Sequence, residues 1–229
     1  MLNPNPGKNL IITVNGTTYE RYPVKTHVVK IGDNLTEILR QYALPHAQTG
    51  DMIFMSEKIV AISQGRSYHI DSIKVSKMAR FLSTKVYKSP YGIGLGSPWT
   101  MQLAINEIGY ARIFLGIFVH LLFKPFGIKG MFYRVVGRTV AAIDGPCDYT
   151  LPPYNKYAKL GPKDPDKVAA QLKTDTGYEV VIIDANDLGV NILGRSDKNF
   201  STETLAAIFK DNPLGQASEQ TPVCLVRRK

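Results

Sequence analysis

Two aspartates stand at positions where this sequence could bind a metal ion. Asp144 and Asp184 each follow a short apolar run, residues 139–143 and 180–183, of the kind typical of a buried strand. A carboxylate at the exit of a buried strand is costly unless a partner or ligand uses it. Mg²⁺ and Mn²⁺ prefer one or two carboxylates together with phosphate oxygens. The pair therefore predicts a metal site, while either aspartate alone fits the capping of a helix or the opening of a turn equally well.

The elements that must position these residues predict an α+β fold in which helices pack on a mixed sheet. A hairpin is expected at 10–19 because Asn15-Gly16 suits the positive φ angles of a tight turn. Strands and helices are short and do not alternate regularly, which excludes a doubly wound sheet. Further strands are predicted at 52–55, 179–183 and 222–226, and helices are predicted to begin at the caps Asn34, Ser97, Asp164 and Ser201.

Composition and charge narrow the class of protein. The 229 residues include 28 Lys and Arg against 19 Asp and Glu, a net charge of +9 that attracts anions such as nucleotide phosphates or an acidic substrate. The basic residues are scattered and form no nucleic-acid-binding motif, so no nucleic-acid partner is expected. Two cysteines and an N-terminus without a signal-peptide pattern predict a cytoplasmic protein.

One apolar stretch, residues 113–123, requires separate consideration. Lys124 and Pro125 end it well before the roughly 20 residues that a membrane span needs. We therefore expect a helix of the core or of a dimer interface, and no membrane partner. The alternative, based on this stretch and the positive charge, is a membrane-surface or interaction protein.

The order of several short motifs resembles the coenzyme F-420-0:L-glutamate ligase (γ-glutamyl ligase) family. Ile31–Leu35 is similar to its Gly-Asp-Asp-Leu start, and the resemblance extends over most of the chain. Single blocks have little specificity, but their common order is difficult to obtain by chance. The other blocks are Ser56–Val60 continuing to Gln64-Gly65-Arg66, Ala142–Asp144, Leu160–Asp166, Val181–Asp184, Leu214–Glu219 and Pro222–Arg227.

This resemblance implies an enzyme that uses GTP with Mg²⁺ or Mn²⁺, and K⁺ as a further ion, to join L-glutamate to a deazaflavin coenzyme precursor or another acidic acceptor. The acceptor carboxylate would be phosphorylated to an acyl phosphate, which the glutamate amine then attacks. The family also implies an intertwined homodimer with an unusual α+β fold. We expect residues 1–229 to form a single domain of this type, with two intertwined lobes divided near residues 90–100 as the alternative.

The resemblance also assigns functional positions. Asp144 and Asp184 match the metal-binding aspartates of the family, Gln216 falls near a third metal position, and Asp187 is a substitute ligand. The matched nucleotide-binding positions are Ser56, Glu57, Lys58, Leu214, Gly215, Gln216, Ala217, Ser218 and Glu219.

Three positions depart from the family pattern. Ala185 replaces a Thr hydroxyl after the second aspartate, Cys147 replaces an Asn, and Ile62 replaces a nucleotide-contacting Lys. These losses motivate a second hypothesis, a homologue that binds nucleotides or anions without ligase activity.

Overall fold

The computed structural model describes residues 2–86, 94–128, 130–148, 150–186, 189–215 and 218–229. The chain divides into two compact units. The first contains Met1–Gly65 and Asp164–Lys229, and the second contains Arg66–Lys163. Unit 2 is thus one continuous segment inserted between the two parts of unit 1.

Unit 1 is built on a six-stranded mixed sheet, which together with its helices confirms the α+β fold. Its strands are β1 (Ile11–Val14), β2 (Thr17–Val24), β3 (Met52–Ser56), β6 (Glu179–Asn186), β7 (Gly189–Arg195) and β8 (Val223–Arg228). The strand order is β1-β2-β8-β3-β6-β7, and β3 and β6 are parallel while the other neighbours are antiparallel.

The hairpin between β1 and β2 confirms the turn predicted from the sequence. Asn15 and Gly16 have φ angles of 49° and 77°. Both values are positive, as a two-residue type I′ turn requires. The turn pairs Val14 with Thr17, and this sets the register of the edge of the sheet.

The helices of unit 1 begin close to where the sequence predicts them. The side chain of Asn34 accepts hydrogen bonds from the amides of Thr36 and Glu37, and Ser201 accepts one from Thr204. Asp164 holds the predicted cap position but in a left-handed conformation and without a side-chain capping bond, so the expected mode of capping is wrong there. The α-helices are α1 (Leu35–Ile38), continued by a π-helical and a 3-10 turn to His46, α2 (Glu57–Ser63), α7 (Pro165–Thr176) and α8 (Thr202–Ile208).

Helix α8 covers one face of this sheet. Phe54 of β3 stacks on Phe209 with ring centroids 4.3 Å apart. Val181 and Ile183 of β6 belong to the same buried cluster, to which α8 contributes Leu205 and Ile208. This alternation along β6 leaves residue 184 on the opposite face.

Unit 2 is mainly helical and has a hydrophobic core of its own. Leu95, Met101, Ile113, Val140 and Ile143 are buried members of that core. The elements are α3 (Lys77–Ser83), α4 (Pro98–Phe123), α5 (Met131–Val136), α6 (Arg138–Ala141) and a two-stranded sheet of β4 (Ser67–His69) with β5 (Tyr157–Lys159).

The strand predicted at 139–143 is wrong, because α6 occupies Arg138–Ala141. Ala141 is exposed, whereas Val140 and Ile143 are buried as expected, with exposures of 1% and 4%. Their spacing of three residues suits a helix, and a short apolar run alone does not separate a buried helix from a buried strand. Asp144 therefore follows a helix.

The helix expected at 113–123 is present, but only one of its sides packs into the core of unit 2. Ser97 caps α4 as predicted, and Gly109 interrupts the helix with φ 76° and ψ 163°. Beyond this break Phe114, Leu115, Phe118, Leu121 and Leu122 are 44–63% exposed. Pro98–Phe126 is long and apolar enough to qualify as a membrane span by length and composition, a test that core helices of water-soluble proteins also pass. The dimer-interface alternative stays a prediction.

Candidate functional site

One edge of the unit 1 sheet gathers residues that are far apart in the sequence. The parallel pairing of β3 with β6 ends where Ser56 is opposite Ile183, so Ser56 and Asp184 leave this pairing at the same edge. The amide of Ser56 also donates to the carbonyl of Pro222 at 2.8 Å, immediately before β8 begins. The predicted nucleotide segments and the second predicted metal aspartate therefore meet at this edge, which we call the β3–β6 edge.

Ser56 joins β3 to α2 and caps the helix. Its Oγ accepts a hydrogen bond from the amide of Lys58 at 3.3 Å. A hydroxyl that accepts one bond can still donate its own hydrogen. Ser56 and Lys58 are half-buried, whereas Glu57 is only 4% exposed. The predicted segment is thus partly accessible, and Glu57 is its buried member.

Asp184 lies within β6 rather than at its exit, which corrects the sequence-based expectation. The strand continues to Asn186 as a hairpin with β7, and Asp184 is opposite Asn191. Asp184 is half-buried and lies on the face opposite Ile183 and Ala185. Its carboxylate is therefore on the side of the sheet that α8 does not cover.

The chain before β8 forms a closed loop at the β3–β6 edge. The hydroxyl of Thr221 donates to the carbonyl of Leu214 at 2.8 Å. Asn5 ties both ends of the loop, because its Nδ2 lies 2.9 Å from the carbonyl of Pro213 and 2.8 Å from Oγ1 of Thr221. Sequence reasoning missed Asn5, since no local pattern connects it with a segment more than 200 residues away.

Gly215 allows this loop to turn tightly. Its φ is 78°, and a Cβ at this position would lie 2.7 Å from Oε2 of Glu219. The amide of Gly215 donates to the carbonyl of Asn212 at 3.1 Å, and Nδ2 of Asn212 donates to the carbonyl of Gly215 at 3.0 Å. Leu214 is buried, Ser218 is exposed and Glu219 is half-buried. Gln216 and Ala217 lie outside the described residues, as does Asp187.

Asp144 belongs to unit 2, where it bridges to Lys159. The two residues exchange backbone hydrogen bonds of 3.0 and 2.9 Å, and Oδ1 of Asp144 accepts from the amide of Gly145 at 2.9 Å. Lys159 is only 6% exposed, and its Nζ lies 3.3 Å from the carbonyl of Ala142. Lys159 is thus a buried cation whose backbone pairs with that of Asp144, a predicted metal ligand. The local sequence around Lys159 does not indicate this pairing.

The β3–β6 edge, with the carboxylate of Asp184, is compatible with a Mg²⁺ or Mn²⁺ ion that also binds the phosphates of a nucleotide. Among the residues that the structure describes, no three His, Cys, Asp or Glu side chains are grouped to hold a metal ion. Mg²⁺ does not need such a cage, because it retains waters and takes one or two carboxylates plus phosphate oxygens. Asp184 is a half-buried carboxylate at the β3–β6 edge.

Two of the three departures from the family pattern, Ile62 and Ala185, occupy apolar surroundings. Ile62 is only 3% exposed on α2, and Ala185 packs against the buried cluster that contains α8. Cys147 is a half-buried free thiol in unit 2. The side chains at 62 and 185 serve packing, and neither can supply the polar contact that the pattern expects.

Comparison with known protein families identifies a match over most of the chain. The family model described as F420-0:Gamma-glutamyl ligase matches residues 23–193, a range that includes Ser56, Asp144 and Asp184 and ends before Leu214. No curated protein matches this sequence significantly.

Proposed function

We propose that this chain, which belongs to the F420-0:Gamma-glutamyl ligase family, is a GTP-dependent enzyme that joins L-glutamate to a coenzyme F-420-like or other acidic acceptor. The observation that carries the proposal is the family match over residues 23–193. The β3–β6 edge supports it, because Ser56, Asp184 and the loop before β8 come together there.

The reaction follows from the chemistry of amide formation. The acceptor carboxylate attacks the γ-phosphorus of GTP, so that GDP leaves and an acyl phosphate forms. The glutamate amine then attacks the acyl carbon, the carbon–oxygen bond to phosphate breaks, and the nitrogen loses a proton. A bound Mg²⁺ or Mn²⁺ neutralises charge on the transferring phosphoryl group.

The residues at the β3–β6 edge have different roles in this reaction. Asp184 supplies a carboxylate ligand to the metal, and the Ser56 hydroxyl donates to the nucleotide. The backbone of the loop Leu214–Thr221 surrounds the nucleotide. Asp144, Asp187 and Gln216 enter the proposal as further metal ligands by their positions in the sequence.

The test combines activity with substitution of the proposed ligands. Purified protein with GTP, Mn²⁺, L-glutamate and the F-420 precursor should release phosphate and form a product heavier by one or more glutamyl residues. Asp184→Asn and Asp144→Asn should each lower the rate on the order of 100-fold, since each removes a charged ligand. Asp71→Asn is the matched control, because the Asp71 side chain is 85% exposed, and it should retain full activity.

Absence of phosphate release with GTP, either metal ion and every acidic acceptor tried would contradict the ligase proposal. Equal rates for the wild type and Asp184→Asn would show that Asp184 is not a metal ligand, but they would not contradict the ligase reaction itself.

A second function is favoured by the apolar side chains at 62 and 185. A homologue that binds a nucleotide or anion without turnover does not need the Thr hydroxyl that Ala185 replaces, and it would bind without the Lys contact that Ile62 replaces. Calorimetry separates the two functions. GTP binding that is independent of divalent metal, with no phosphate released, favours the binding module, whereas metal-dependent binding with turnover favours the ligase.

A further inference from the structure

Unit 2 carries an exposed apolar surface on the second half of α4 and the turn after it. Six large apolar side chains form it, each 44–75% exposed: Phe114, Leu115, Phe118, Leu121, Leu122 and Phe126. We call this set the α4 surface. It requires an explanation, because contiguous exposed patches of large apolar residues mark interaction sites.

The α4 surface cannot be buried by rotation of its own helix. The opposite side of the same segment is already packed, with Ile113 and Gly116 buried. A Cβ at Gly116 would lie 3.0 Å from both Phe132 and Val136 of α5, so the two helices are in close contact there. A helix that is apolar on both sides therefore packs one side inside unit 2 and presents the other outward.

The segment of the sequence that contains the α4 surface carries charge of a single sign. Residues 108–143 contain no Asp or Glu and five basic residues, namely Arg112, Lys124, Lys129, Arg134 and Arg138. Lys124 follows the last residue of α4 and is exposed, and Arg134 is an exposed residue of α5, which packs against α4. A second copy of the same surface would place like charges against each other, whereas an anionic partner would be attracted.

The geometry of α4 favours a helix lying in a membrane interface over one that spans the bilayer. The break at Gly109 leaves a continuous segment of residues 110–123, which is about 21 Å long at 1.5 Å per residue. The hydrocarbon core of a bilayer is about 30 Å thick. Apolar residues on one face with Lys and Arg beside them are typical of helices that lie in the interface plane.

We propose that the α4 surface docks unit 2 on a bilayer of anionic phospholipids. Phe114, Leu115 and Phe118 enter the boundary between headgroups and acyl chains, and Lys124 and Arg134 pair with the headgroups. This proposal is independent of the ligase activity, because its test contains neither GTP nor metal.

The test is flotation of the full-length protein with vesicles. The wild type should bind vesicles that contain phosphatidylglycerol and not vesicles of phosphatidylcholine alone. Leu115→Ser with Phe118→Ser should weaken binding about tenfold or more, since two apolar anchors are lost. Lys124→Gln with Arg134→Gln should weaken it about 25-fold at low salt, at about fivefold per basic residue, and the wild type should lose affinity as salt is raised.

Matched control variants distinguish binding through the α4 surface from nonspecific binding through other exposed apolar or basic side chains. Ile11→Ser with Ile31→Ser removes two side chains of unit 1 that are 48% and 60% exposed, and Lys25→Gln with Lys210→Gln removes two exposed charges there. Both controls should bind like the wild type. Arg112 is left intact, because its Nε donates to the carbonyl of Val135 at 3.0 Å. Thermal melting by circular dichroism verifies that each variant is folded.

Three outcomes would overturn the proposal. The first is no binding of the wild type to anionic vesicles, and the second is binding that neither pair of α4 substitutions weakens. The third is a wild-type dimer that becomes a monomer with Leu115→Ser and Phe118→Ser, because a second copy would then be the occupant of the α4 surface.

Discussion

The guanidinium of Arg21 in unit 1 is fully buried and paired with Asp211. Its Nη1 contacts Oδ1 of Asp211, and its Nη2 lies 2.9 Å from Oδ2. The carbonyls of Ile208 and Asn9 accept further bonds from the same group. Arg21 thereby links β2 to the end of α8, and the carboxylate is the only compensating charge among these contacts.

The pair gives stability a defined pH dependence. Burial alone would raise the pKa of the Asp211 carboxyl, but the hydrogen bonds and charge of Arg21 outweigh it and hold this pKa below its ordinary value. A carboxyl with a depressed folded-state pKa stabilises the protein above its unfolded pKa of about 3.9. That contribution is lost as the pH falls through the folded-state pKa.

Asp211→Asn should therefore lower the free energy of unfolding at pH 7 by about 3 kcal/mol, because it leaves a buried charge without its counter-ion. This is the lower end of the usual range, since the Asp211 side chain is 31% exposed. Urea unfolding at a series of pH values measures the effect, and the gap to the wild type should shrink below about pH 4.

Glu37→Gln is the matched control for this prediction. It breaks the pair between Arg40 and Glu37, whose side chains are 52% and 63% exposed. Exposed pairs contribute about 0–1 kcal/mol, so the variant should unfold almost like the wild type. An equal loss in the two variants would show that burial of Arg21 does not decide the cost.

At the scale of elements, Gly194 sets how closely α7 approaches the sheet. A Cβ on this residue of β7 would lie 2.5 Å from the carbonyl oxygen of Pro165 and 2.8 Å from the amide of Asp166. Both atoms belong to the backbone of the first turn of α7 and cannot rotate away. Oδ1 of Asp166 also accepts the amide of Arg195 at 3.0 Å, which fixes the contact from the other side.

Gly194→Ala should lower the free energy of unfolding by about 3 kcal/mol, because the backbone of α7 must move to admit a methyl group. Asn191→Ala on the same strand is exposed and should cost less than about 0.5 kcal/mol. Denaturant unfolding of the two variants measures both values. A Gly194→Ala protein as stable as the wild type would show that the backbone of α7 can move at this contact without a loss of stability.

At the scale of the whole molecule, unit 2 is inserted between two parts of unit 1 that share one sheet. No strand of that sheet comes from the described residues of 66–163. The chain enters and leaves unit 2 side by side, because the amide of Leu160 donates to the carbonyl of Arg66 at 2.9 Å. Each unit also has a hydrophobic cluster of its own.

Replacing residues 66–163 by a flexible Gly-Ser linker of about eight residues should leave unit 1 folded, because such a linker spans about 15 Å. The shortened chain should unfold cooperatively in urea and retain the strand signal in circular dichroism. A chain that is protease-sensitive throughout and lacks a cooperative transition would show that unit 1 needs unit 2 to fold.

The sequence by itself determined the features that depend on local chemistry. Asn15-Gly16 makes its turn because both residues accept positive φ, and Asn34, Ser97 and Ser201 cap helices because their side chains reach amides two or three residues ahead. The α+β class followed from the irregular succession of short strands and helices, and the family followed from the order of the short motifs.

Only the tertiary structure decided where the predicted site residues lie. Ser56, Asp184 and the loop before β8 meet because β3, β6 and β8 are neighbours in the sheet, a pairing that depends on side-chain packing between distant segments. The tertiary structure also placed α6 at Arg138–Ala141, where a strand was predicted, and left the α4 surface outside the core. The burial of a short apolar run is decided by what packs against it.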